Sequence, residues 1–126
     1  MRKKLVSAGL ALVFSLTCAS SVFATNNLEM VMVLSSEKEK SKMSQIVQGK
    51  NQYGRFTLES ENGFASAQLH NVCGSDVYLT PVGDPLIISS TGSTTTNYYM
   101  NSNCYYAVMV TNVSASKAKA YVKNYN

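Results

Sequence analysis

Beyond Gly54 the chain alternates apolar and polar residues with a period of two. Phe56 and Leu58 stand between Arg55, Thr57 and Glu59, and Glu61-Asn62-Gly63 then supplies a turn. In the run 64–72, Ala65, Ala67, Leu69 and Asn71 share one parity, while Ser66, Gln68 and His70 share the other. Successive side chains of an extended chain point to opposite faces, so this pattern predicts half-buried strands. Further strands are predicted at 29–34, where a sticky N-terminal arm is the alternative, at 76–80 with Val77 and Leu79 inward, at 86–90 and at 94–100. Pro81 and Pro85 fall outside them, in a turn. The most strand-like run is 103–112. Cys104, Tyr106, Val108 and Val110 lie on one face, and Tyr105, Ala107, Met109 and Thr111 on the other. Both faces are largely apolar, which predicts a central strand. In the closing run, 117–125, Ala118, Ala120 and Val122 face one way, and Lys117, Lys119, Tyr121, Lys123 and Tyr125 the other. Its lysines suit an edge, where charge discourages pairing with another molecule.

One stretch breaks the period. Residues 35–42 are polar and mixed in charge. Ser36 and Glu39 have capping-box spacing, and Met43, Ile46 and Val47 form a stripe, so one short N-terminal helix over 37–48 competes with a solvated loop leading into a weak strand. Short strands at regular spacing make the fold all-β: an antiparallel β-sandwich or small barrel of about 6–8 strands. Cys73 continues the apolar parity of 65–71, as Cys104 does that of 106–110, and the two alternations agree on one buried disulfide. The small Ala65 and Ala67 leave room for an opposing ring such as Tyr106.

The first residues change the setting of this fold. Arg2, Lys3 and Lys4 precede the apolar run 5–16, and Val22-Phe23-Ala24 fits a signal-peptidase site, so 1–24 reads as a secretory signal peptide cleaved near Ala24. The apolar run is shorter than the roughly 20 residues that span a bilayer, and no second run supplies a transmembrane segment in the mature chain. Cys18 would leave with the signal; Ser15 and Thr17 before it fit a lipoprotein motif poorly. The mature chain, 25–126, is read as one domain, with an N-terminal arm and polar linker at 25–50 and the sandwich core at 51–126. The expected location is secreted or on the cell envelope, and the signal points to a bacterium. Of 11 basic residues three belong to the signal, which leaves 8 against 7 acidic ones. With so little net charge, a nucleic-acid partner is not expected.

Tyr105-Tyr106-x-Val108-x-Val110 with Asn112, a serine-rich turn at Ser114 to Ser116 and a last strand through Tyr121 resemble the closing half of the small β-sandwich modules known as pre-peptidase C-terminal domains of secreted bacterial proteins. Asn103-Cys104 stands where a glycine often precedes the tyrosines. The resemblance implies an accessory fold without catalysis, sometimes tied to extracellular polymers, and it transfers no site residue.

Catalytic chemistry is thinly provided for. His70, the single histidine, shares parity with Ser66 and Gln68 and is read as a solvated surface residue; a triad with Asp76 or Asp84 would lack a nucleophile elbow. Cys73 is three residues from His70, on the opposite face, and an oxidised sulfur is no nucleophile. Asp76, Asp84, Glu59 and Glu61 do not repeat as calcium ligands do. Neither enzyme activity nor a cofactor or metal is expected. Asn112-Val113-Ser114 matches a glycosylation acceptor, relevant only to a eukaryotic chain. All 8 tyrosines lie in the mature chain, and tyrosine joins a flat apolar ring to a hydroxyl, as interfaces and sugar-binding surfaces require. Lys117, Lys119, Tyr121, Lys123 and Tyr125 are therefore the candidate binding residues. The partners expected are a cell-wall glycan, an extracellular protein or an anionic membrane surface. The alternative function is a small secreted effector: a toxin, bacteriocin-like protein or inhibitor acting on a protein or membrane target.

Overall fold

The computed structural model describes residues 25–126; the expected signal at 1–24, with Cys18, lies outside them. Ten strands follow in order: β1 (Leu28–Leu34), β2 (Ser41–Met43), β3 (Val47–Gln48), β4 (Gln52–Glu61), β5 (Ala65–Cys73), β6 (Thr80–Pro81), β7 (Leu86–Ile88), β8 (Gly92–Met100), β9 (Cys104–Asn112) and β10 (Lys117–Lys123). They form two antiparallel sheets. One has the order β1-β10-β4-β8; in the other β9 and β5 pair at the centre, flanked by β2 and β3 on one side and β6 and β7 on the other. Neither sheet closes on itself, so the fold is a sandwich.

Alternation fills the space between the sheets. Val31 and Val33 of β1, Phe56 and Leu58 of β4, Ala118, Ala120 and Val122 of β10, Leu69 of β5, and Tyr106, Val108 and Val110 of β9 form one buried cluster. Each of the larger of these side chains adds about 1.5–3 kcal/mol on burial, so the cluster carries most of the cohesion. Cys73 and Cys104 stand directly opposite each other on β5 and β9 and form the disulfide, with a Cα–Cα separation of 4.0 Å. The parity predicted for β5, β9 and β10 holds in their inward residues, and β9 is central, as its two apolar faces require.

The neighbours of several segments differ from expectation. No helix forms over 37–48. β2 and β3 instead pair with the free side of β9, Ser41–Met43 against Thr111–Met109 and Val47–Gln48 against Tyr106–Tyr105. Between them Ser44 keeps the ladder continuous: its N–H donates to the Val108 carbonyl at 2.8 Å, and its Oγ accepts from the Val108 N–H at 3.0 Å. A strand as buried as β9 needs partners for its main-chain groups on both sides, and that demand outweighs a local helical stripe. Glu37, where the helix would start, accepts from the Leu34 N–H at 2.9 Å and pairs with Lys42. The expected strand at 76–80 is a loop whose Val77 and Tyr78 are each 79% exposed; only Thr80–Pro81 pairs, against Asn71 and His70. Pro81 is thus inside a strand, on an outer flank where its missing N–H costs nothing.

From β4 onward, consecutive long strands are in opposite sheets. The Glu61-Asn62-Gly63 turn carries the chain from β4 across to β5, with Asn62 at φ 59°. At Gly63 a Cβ would lie 2.3 Å from the Ser114 carbonyl oxygen, so the crossing fits only glycine. Tyr106 is opposite Asn71, not Ala65 or Ala67, which face Asn112 and Val110. Its hydroxyl accepts from the Asn101 N–H at 3.0 Å, and its ring meets Tyr98 edge-on at 6.1 Å. Two buried asparagines tie the ends together. Asn112 donates to the carbonyls of Val33 and Ala115 and accepts from the Ala115 N–H. Asn124 donates to the carbonyls of Thr25 and Gln48 and accepts from the Asn27 N–H.

Candidate binding face

β10 is an inner strand, between β1 and β4, and not the edge its lysines were read to mark. Charged residues serve equally on the solvated face of an inner antiparallel strand, because only the opposite face meets the core. Register then fixes what stands beside each candidate. Going outward from β1 through β10, β4 and β8, one row of the outer face reads Leu28, Lys123, Arg55, Asn97. The next reads Met30, Tyr121, Thr57, Thr95, and the third Met32, Lys119, Glu59, Ser93. Leu34, Lys117 and Glu61 form the last. The four candidates within β10 therefore share one surface, and Tyr125 follows just beyond the strand.

Charges divide this surface into two ends. Lys117 pairs with Glu61 at 3.3 Å and Lys119 with Glu59 at 3.6 Å, so one end is largely neutral. The Lys119 ammonium is held above its ordinary value, first by the Tyr121 hydroxyl and then by Glu59. At the other end Lys123 and Arg55 are cross-strand partners, and among the described residues neither has a carboxylate within 4.0 Å. Like charges placed directly opposite one another oppose sheet pairing. Arg55 is steadied by neutral groups, the side-chain oxygens of Asn97 and Asn126. The Lys123 ammonium sits 4.7 Å from the Tyr125 ring centroid, a cation–π distance.

Aromatic rings surround this positive corner. Tyr121 of β10 and Tyr125 just beyond it flank Lys123, and on the same face Tyr53 of β4 meets Tyr99 of β8 edge-on at 5.5 Å. Leu28, Arg55, Thr57, Glu59, Tyr121 and Lys123 line a shallow groove, and Tyr53, Tyr125, Lys50 and Gln52 line a second one beside it. Arg55, Tyr53 and Tyr99 did not stand out in the sequence. Their alternation was visible, but which strand lies next to β10 is a long-range matter. Tyr99 is the cross-strand partner of Tyr53 and is 44% exposed.

Other sequence candidates fall elsewhere. His70 is buried, 8% exposed, and not solvated; its Nδ1 is 3.2 Å from the Gln68 carbonyl oxygen. Asp84 lines a separate cavity of about 150 Å³ between the sheets, with Phe56, Leu69, Leu86 and Tyr98. Among the described residues no three His, Cys, Asp or Glu side chains gather as metal ligands would, and no helix is long and apolar enough to cross a membrane. Asn112, the matched glycosylation acceptor, is 2% exposed with both amide hydrogens committed, so the folded chain offers no access to it. Comparison with known proteins finds no matching family model, no matching curated protein and no matching solved structure.

Proposed function

We propose that this protein is an exported, non-catalytic binding domain that holds an anionic polymer of the cell envelope on the outer face of its four-stranded sheet. The observation that carries the reading is the Lys123–Arg55 pair. Two cations stand directly opposite each other, against the interest of the sheet, with tyrosines on both sides. A bound phosphate or carboxylate would relieve that repulsion, with the Arg55 fork offering paired donors and the Lys123 ammonium a point charge. Tyr121 and Tyr125 would supply flat surfaces for sugar rings between the charged groups. Export is supported by the signal-like first residues and by the disulfide, which suits an oxidising compartment. The accessory role of the sandwich modules it resembles points the same way.

The test is retention on purified cell walls, with acidic polymers intact or chemically stripped. Mature protein should be held by intact walls and released from stripped ones. Arg55→Gln with Lys123→Gln should lower retention at least tenfold, Tyr121→Ala should lower it less, and Lys38→Gln, on the exposed β1–β2 connection, should leave it unchanged. Equal retention of the Arg55→Gln/Lys123→Gln variant would sink the proposed face. Leakage from anionic liposomes without wall retention would favour the effector reading instead.

A further inference from the structure

β1 is the outer strand of the four-stranded sheet, and its edge is lightly protected, with one charge, Glu29, near its start. It runs for seven residues in unbroken register against β10, without lysine, proline or bulge. Its outer-face residues are apolar: Leu28, Met30 and Leu34 are 47%, 46% and 38% exposed, and Met32 is half-buried. Hydrogen bonds show which main-chain groups are open. The Asn27 carbonyl accepts from the Asn124 N–H and the Ser35 N–H donates to the Ser116 carbonyl, both across to the β10 side. Odd-numbered residues of this stretch thus turn their main chain toward β10, and Leu28, Met30, Met32 and Leu34 turn theirs to the free edge. Glu37 closes one end by taking the Leu34 N–H. The middle of the edge, at Met30 and Met32, pairs with nothing among the described residues.

The sequence of the strand says what fits there. Leu28-Glu29-Met30-Val31-Met32-Val33-Leu34 is nearly palindromic about Val31. We infer that β1 pairs antiparallel with β1 of a second copy of this chain, about a two-fold axis at Val31. Met30 then faces Met32 of the other copy and Leu28 faces Leu34. The outward main-chain groups of Met30 and Met32 thus meet those of Met32 and Met30 across the axis, while Leu28 and Leu34 meet through side chains alone, because Glu37 takes the Leu34 N–H and donates its own N–H to the Leu34 carbonyl. The apolar outer-face side chains join into one double row, as an isologous contact requires. The two four-stranded sheets become one continuous sheet. If the anionic polymer binds where we propose, the pair presents two Lys123–Arg55 corners on a single face and gains by avidity.

The interface is small, so a concentration-dependent equilibrium is expected rather than an obligate dimer. Sedimentation of the mature protein, with no polymer present, should show its mass doubling between micromolar and submillimolar concentration. Met30→Lys with Met32→Lys places cation against cation and should abolish the doubling. Met30→Lys with Met32→Glu places each new charge opposite its complement on the other copy and should keep it. Met32→Pro, which removes an outward N–H and no bond to β10, should also give monomer, with circular dichroism unchanged. A monomer at every concentration overturns the inference, as does a dimer that survives the paired lysines. Loss of the dimer in both charge variants equally would overturn the two-fold register.

Discussion

Asn124 joins three parts of the chain through one side chain, and a single substitution measures how much that matters. Its amide bonds Thr25, Asn27 and Gln48 and is 1% exposed, so truncation leaves main-chain groups of all three without a partner. Asn124→Ala should cost about 1–3 kcal/mol or more in urea unfolding, against less than about 0.5 for exposed Asn103→Ala. Nothing in the sequence distinguished these two asparagines, since a buried amide is specified by distant carbonyls that only the folded chain brings near. Glu37 offers a second measurement. Its carboxyl is held below its ordinary value of 4.5, chiefly by the Lys42 hydrogen bond and then by the Leu34 N–H. A depressed folded value means the contribution is complete above about 4.5 and fades as pH falls through the lower folded value. On acidification the Leu34 amide should therefore lose protection from exchange relative to Val33. In Glu37→Gln that pH-dependent difference should disappear.

At the level of elements, parity was legible and adjacency was not. The alternation of Lys117, Lys119, Tyr121 and Lys123 with Ala118, Ala120 and Val122 gave the two faces of β10 correctly. Whether β10 was an edge or an inner strand depended on β1, nearly ninety positions earlier in the chain. The segment 37–48 failed as a helix for the same reason: the unpaired side of β9 decided it. Cysteine parity, by contrast, identified a pair that proves to be directly cross-strand. The bridge closes a span of 31 residues containing β6, β7 and β8, and β8 belongs to the other sheet. Cys73→Ser with Cys104→Ser should thus lower stability by about 3–4 kcal/mol on the chain-entropy model, read from the shift in urea midpoint. Native protein should have a mass two hydrogens below the reduced chain. Free thiols in exported protein would contradict the bridge.

For the molecule as a whole, the distribution of charge matters more than its sum. With 8 basic and 7 acidic residues beyond the expected signal, the chain has almost no long-range field to draw a polyanion in. On the outer face of the four-stranded sheet any attraction must come from the corner where Lys123 and Arg55 meet, because Lys117 and Lys119 are already answered by Glu61 and Glu59. Net charge, which gave no reason to expect a nucleic-acid partner, carries no sign of this corner, which exists only once β4 lies beside β10. Salt dependence separates the two descriptions. A local site with two unpaired cations should release only their worth of counterions, so the affinity for dextran sulfate should fall with log salt at a slope of about −1 to −2. Arg55→Gln with Lys123→Gln should flatten that slope toward zero, while Lys38→Gln should leave it unaltered. A slope that persists in the double variant would mean that the polymer is held by charge spread elsewhere on the surface.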